Sequence, residues 1–301
     1  MAATGLTQEE FLHVLPVFAD KYAASCPVDQ TLEGKPRQRK SGAGPKGVLS
    51  TIEDKLLFIL VYEKIYTIQV MHGLQFGLSQ SQGNYWIHRL LPILKQALAE
   101  LGLTPERDPQ AVANSALLTE TSPHLLIDAT ERRRQRPKDA EQQTSHYSGK
   151  KKTHTDKNVL LVEAQTNKIV YLSPTEPGKV HDKKIADTHA IAYPAAATLG
   201  KDTGFQGYEP SGVLTYQPKK KPRGQELTAI DKWLNRLFSS ARIYVEHAMA
   251  GVKRCRIVKD VFRNTKKDFS DLVMEVACAL HNLRLEFRHP QPTFSLLDLS
   301  G

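Results

Sequence analysis

The chain's 301 residues allow one large domain and a smaller one, and its 40% hydrophobic content is ordinary for a protein with a buried core. Lys and Arg number 41 against 32 Asp and Glu, and the resulting net charge of +9 favours a polyanionic partner over an acidic metabolite. Cys26, Cys255 and Cys278 are odd in number and lack paired zinc spacing, which argues against a disulfide framework. With no leader-like start and no apolar run near the roughly 20 residues of a membrane span, the expectation is a cytoplasmic protein that is neither secreted nor embedded.

Residues 7–25 read as a helix, Thr7 capping a stripe of Phe11, Leu12, Leu15, Phe18 and Tyr22. A basic Gly/Pro linker occupies residues 34–48, where glycines and prolines prevent a core and the cations repel one another. It is either a solvated tether or an arm whose Arg37, Arg39 and Lys40 enter a DNA minor groove.

Three short helices are predicted between residues 49 and about 91. Ser50 or Thr51 caps the first, over Leu56, Leu57, Leu60 and Val61; Thr67 caps the second, carrying Val70, Met71 and Leu74. After the turn at Gly77, Ser79 caps the third, whose surface is Gln80, Gln82, Asn84, Tyr85, His88 and Arg89. The parts suit a helix-turn-helix, with Gln80, Gln82 and Asn84 against base edges and Tyr85 and Arg89 on phosphates; an ordinary three-helix bundle has the same parts. Residues from 94 to about 118 read as a connecting helix and a Pro-containing link.

Strand-like runs follow at residues 123–128, 156–163 and 168–173, with Thr166 and Asn167 turning between the last two. A short helix after Val180 leads to a fourth strand ending near Asp202, and residues 212–216 supply a fifth. A long helix starts at Thr228 and passes Glu246, and an amphipathic helix over 268–287 turns Leu272, Val273, Val276, Leu280 and Leu283 inward. This is the element order of an RNase H-like fold. The fold class is therefore α+β, in four parts: a helix (1–33), the linker (34–48), a helix-turn-helix domain with its connection (49–118), and a catalytic domain on a mixed five-stranded sheet (119–301).

If the first and fourth strands are parallel, Asp128 and Asp202 emerge at one carboxyl edge, and the helical Glu246 can close the crevice there. Three hard oxygen donors suit a pair of divalent cations steadying the attacking and leaving oxygens of a phosphodiester. Asp182, in His181-Asp182, competes for the place of second acid, though its position before a helix also reads as an N-cap. Arg242, Glu246 and Lys253 share one helix face, which an exposed ion-pair ladder would equally do. Arg132, Arg133 and Arg134 follow the first acid and favour DNA contact, whereas Lys150, Lys151 and Lys152 fit either phosphate contact or solvent. His154 and His247 read as structural.

Several segments, taken in order, resemble the insertion-sequence-five kind of DDE superfamily endonuclease, bacterial transposases related to the eukaryotic Harbinger transposases. They are residues 78–82 (LSQSQ), 86–92 (WIHRLLP), 127–132 (IDATER), 147–154 (YSGKKKTH), 177–182 (PGKVHD), 202–205 (DTGF) and 245–247 (VEH), so that the resemblance spans roughly residues 45–288. It implies that Asp128, Asp202 and Glu246 bind two Mg²⁺ ions, replaceable by Mn²⁺. These activate water to cut element ends and then the freed 3′ hydroxyl to attack target DNA, with Asp128 bridging both ions. It further implies binding of terminal inverted repeats and target duplex by a homodimer on DNA in the bacterial nucleoid. Arg242, Glu246 and Lys253 resemble a Tyr-Arg-Glu-Lys signature in which the Lys contacts DNA near the cut; Ser239 stands in the place of the Tyr. Two other readings remain: a transposase-derived protein that binds DNA without cutting it, and a general metal-dependent endonuclease.

Overall fold

A computed structural model describes residues 2–26, 35–36, 47–119, 122–221, 224 and 226–288. The basic linker positions Arg37, Arg39 and Lys40 lie outside the described residues. No described helix is long and apolar enough to cross a membrane.

Four helices form the N-terminal part: α1 (Gln8–Ala24), α2 (Ile52–Ile65), α3 (Gln69–Gln75) and α4 (Gln80–Glu100). Reciprocal capping boxes start three of them, Thr7 with Glu10, Thr51 with Asp54 and Ser79 with Gln82. Thr67 caps nothing: the N-cap of α3 is Ile68, with no side-chain hydrogen bond. The apolar residues that α3 carries are exposed, Val70 by 46%, Met71 by 47% and Leu74 by 67%, while His72 and Gly73 are buried. The reason is close approach: the α-carbon of Gly73 lies 3.5 Å from where a Gly83 Cβ would stand, so α3 crosses α4 glycine to glycine. The connecting helix expected from residue 94 is instead the continuation of α4 through Pro92. Burial of Leu90, Leu91, Ile93 and Leu94 around that proline outweighs a cost of about 3 kcal/mol for the lost backbone bond.

The sheet follows. Strand β1 (His124–Arg133) pairs antiparallel with β3 (Thr153–Glu163), and β3 pairs antiparallel with β4 (Ile169–Leu172). Strand β6 (Thr198–Lys201) lies parallel to β1 on its other side, and β7 (Leu214–Tyr216) parallel to β6. The two-residue strands β2 (Tyr147–Ser148) and β5 (Glu176–Pro177) pair antiparallel with β3. Short helices α5 (Ala140–His146) and α6 (Asp182–His189) sit in the connections, and the long α7 (Ala229–Val252) and α8 (Phe269–Phe287) complete the chain. The expected mixed sheet of five main strands is present, with β1 running five residues past Asp128 because its ladder with β3 continues to Arg133 opposite Thr155.

One face of the sheet carries Leu126, Leu160, Val162 and Leu172 into a core shared with α7, α8 and the N-terminal helices. The other face packs Leu125, Ile127, Leu161 and Tyr171 against Ile185 and Phe205. Thus α4 and α8 bury their apolar faces in the same core, and a fragment ending near residue 118 would uncover Leu94, Ala97 and Leu98.

Candidate active site

The parallel ladder between β1 and β6 ends at the pair Ile127 and Lys201. The next residue of each strand is therefore an aspartate, Asp128 and Asp202, released at the same edge. Helix α7, started by Thr228 and Asp231 in a capping box, crosses that edge and brings Arg242, Val245 and Glu246 over it. Asp128, Asp202 and Glu246 line one cleft, floored by Leu126, Ile127 and Gly200 and walled by Tyr216 and Phe238.

The three acids differ in surroundings. Asp128 accepts a hydrogen bond from the Ala129 N–H at 2.8 Å. Burial pushes its carboxyl up to about 6, and the negative charges of Asp202 and Asp182 add to this while the Ala129 N–H and Arg242 oppose it. Asp202 accepts from the Thr203 N–H at 2.6 Å, starting the short turn Thr203–Phe205, and its Oδ1 lies 3.3 Å from Nη1 of Arg242. Glu246 is exposed. At the end of α7, burial lowers the ammonium pKa of Lys253, opposed by Asp128 and reinforced by Lys151, so both lysines are electrostatic neighbours of the site.

The donor set is all oxygen, as hard divalent cations prefer, and a buried carboxylate with a raised pKa has the most to gain from a cation beside it. The acids fit such ions in type. Among the described residues, no three acidic, His or Cys groups stand close enough to hold an ion, and the Arg242 guanidinium sits on Asp202.

Asp128 sets a pH dependence. Folded, it keeps its proton to about pH 6, against an ordinary value of 3.8. Between those values the native state binds more protons than the unfolded one, so stability should fall as pH rises from about 4 to 6 and change little from this group above that. Thermal melts in chelator should show this decline in the parent and lose it in Asp128→Asn.

Asp182 is the first residue of α6, not its cap, a place taken by His181. Its Oδ1 pairs with Nζ of Lys157 at 2.8 Å, and its Oδ2 lies only 2.9 Å from where a Gly204 Cβ would be. The competing acid therefore packs behind the Asp202 turn, outside the lining of the cleft.

Three arginines expected on DNA have different fates. Arg132 is 3% exposed and donates to Ser270 O, Asn158 Oδ1 and Thr175 Oγ1, so it cannot face a ligand. Strand alternation places it inward, where the shared core supplies acceptors. Arg134 pairs with the buried Asp156 at 2.8 Å. Arg133 is exposed, as are Lys150, Lys151 and Lys152 in the turn before β3.

On α4, Gln80 is exposed, Gln82 Oε1 accepts from the Ser79 N–H at 3.0 Å, and Asn84 donates to Gln69 Oε1 at 3.1 Å. Arg89 is engaged: it donates to Tyr85 Oη at 2.6 Å and to Cys26 Sγ at 2.7 Å, over the rings of Tyr22 and Trp86. His88 meets Phe269 edge to face, centroids 4.8 Å apart.

Tyr216 and Phe238 were legible only as strand and helix residues, yet they line the cleft with rings 4.9 Å apart. Tyr216 hydrogen-bonds His124, crossing β6 above Gly200, where a Cβ would come within 2.5 Å of its hydroxyl. The one available signal is the register, which sets Gly200 beside Tyr216.

A helix-turn-helix joined to an RNase H-like sheet with acids at its switch edge defines a class of nucleic-acid enzymes. Residues 127–282 match the family described as DDE superfamily endonuclease, and residues 48–100 match the helix-turn-helix of DDE superfamily endonuclease. The chain belongs to this family. It is 27% identical over 261 residues, 87% of this chain and 90% of the relative, to a protein of Microchaete diplosiphon named "Probable transposase for insertion sequence element IS702". No solved structure matches it.

Proposed function

We propose that the chain is an insertion-sequence transposase that binds the terminal inverted repeats of its element, hydrolyses DNA at their ends and joins the 3′ hydroxyl to target DNA. The observation that carries this reading is the convergence of Asp128, Asp202 and Glu246, from two adjacent strand ends and one crossing helix, on a single cleft. Mg²⁺ or Mn²⁺ held by these acids would supply activation of the attacking oxygen and charge stabilisation of the leaving one.

The chain's own residues prepare the site. Asp128, buried at the ladder's end, has its carboxylate fixed by the Ala129 N–H. Arg242 keeps Asp202 compensated and, lying at the rim, can exchange that carboxylate for a DNA phosphate. Lys253 and Lys151 offer ammonium groups to the backbone near the cut, with Arg133 and Lys150 further out. Residues 49–118 form the end-binding part and 119–301 the catalytic part, acting as a homodimer on DNA.

The test is a cleavage and joining assay of the full chain on duplexes carrying the inverted repeats that flank its gene, against shuffled duplex. Nicking confined to the repeats, present with Mg²⁺ or Mn²⁺, weak with Ca²⁺ and absent in chelator, is the expected result. Repeat binding without nicking would leave a DNA-binding protein, equal cutting of both duplexes a general endonuclease, and undiminished cutting in chelator would remove the metal account.

A further inference from the structure

The polar face of α4 does not look out alone. Gln80, Asn84 and His88 form one wall of a recess of about 480 Å³ whose other wall is Arg263, Asn264 and Thr265, from the loop before α8. A second recess, of about 260 Å³, continues from His88 past Pro92 and Lys95 to Lys266, Lys267 and Phe269. The stretch 263–267 (RNTKK) carries three cations and no acid.

That loop is held in place. Arg263 donates its backbone N–H to Tyr66 Oη at 2.8 Å and its Nη2 to Tyr66 O at 2.6 Å, with its guanidinium 4.3 Å from the Tyr66 ring centroid. Asn264 Oδ1 accepts from the Lys266 N–H at 2.8 Å, and buried Phe262 and Phe269 anchor the two ends. Lys266 and Lys267 are left exposed. Of the acids in that recess, Asp271 pairs with Arg107 and Glu275 with Lys95, while Asp268, exposed next to Lys267, sets one negative charge against the loop's three cations. An exposed pair of ammonium groups on a held loop, beside a helix of amide side chains, is the division of labour of a protein–DNA interface, cations on phosphate and amides on base edges.

We infer that the 263–267 loop of the catalytic part and the Gln80, Asn84, His88 face of α4 form one composite DNA groove, with Lys266 and Lys267 on the phosphate backbone of the duplex that α4 reads. This rests on the DNA-end-binding reading above and adds a partner surface to it.

The experiment uses the full chain and two probes, a duplex of about three helical turns from the DNA flanking the gene and its shuffled counterpart, titrated at several salt concentrations. Lys266→Gln with Lys267→Gln should weaken both probes alike, by about tenfold or more at physiological salt, and reduce the slope of log affinity on log salt by about 2. Gln80→Ala with Asn84→Ala should lower the preference for the flanking probe and leave the slope unchanged. If the parent prefers the flanking probe and the double Lys variant keeps its affinity and slope, the composite groove is refuted and end binding stands. A parent that binds neither probe overturns both.

Discussion

Asp128→Asn is expected to abolish end cleavage and joining, a loss on the order of a thousandfold or more, while the protein melts at the same or a higher temperature near neutral pH. The two halves of that result have one cause. Burial places the Asp128 carboxylate where its charge is disfavoured, pushing its pKa up to about 6, so the amide relieves the fold of the very charge the chemistry needs. Asp202→Asn should be equally inactive and close to the parent in stability, because an Asn still accepts from the Thr203 N–H and the half-exposed contact with Arg242 contributes little. Asp182→Asn should cut detectably but melt lower, since Lys157, with 8% of its side chain exposed, loses its nearest carboxylate. Inactive, well-folded Asp182→Asn beside active Asp202→Asn would transfer the second acid to Asp182. The readouts are gel-resolved nicking and thermal melts on the same preparations.

Arg132→Ala should destabilise the chain by about 3 kcal/mol, lowering the melting temperature by several degrees, whereas Arg133→Ala should stay within about 0.5 kcal/mol of the parent. Arg132 satisfies Ser270 O, Asn158 Oδ1 and Thr175 Oγ1 at once, tying β1 to β3 and to the start of α8. Its neighbour meets solvent. Salt-dependent DNA binding should reverse the order: reduced by Arg133→Ala, unchanged by Arg132→Ala below its melting temperature. A stable Arg132→Ala that binds DNA poorly would return Arg132 to the surface.

The sheet is legible because its strands are short apolar runs bounded by turn residues, and the parallel pairing posed as a condition for the first and fourth is the one β1 and β6 make. What escaped was decided by partners distant in sequence. Arg132 reads as one member of a basic run, and only strand alternation against α8 turns it inward while Arg133 points out. The third predicted helix stops near residue 91 and a connecting one starts at 94, yet burial on both sides of Pro92 carries α4 through it. On α3 the apolar residues stand exposed because a glycine contact with α4 sets the rotation, which the residue types do not show. Tyr216 gains its place beside the acids from the space above Gly200, a fact of register that spacing along the chain does not carry.

The core shared by α4, α7 and α8 packs the helix proposed to read DNA and the helix that carries Glu246 into one hydrophobic body. Such a body acts as a ruler. Inserting one base pair between the bound repeat and the cut displaces the scissile phosphate by about 3.4 Å and turns it by about a tenth of a helical turn. Under the proposed function, a protein built this way would not follow that displacement, and the position of the cut would be measured from the repeat by the fold itself.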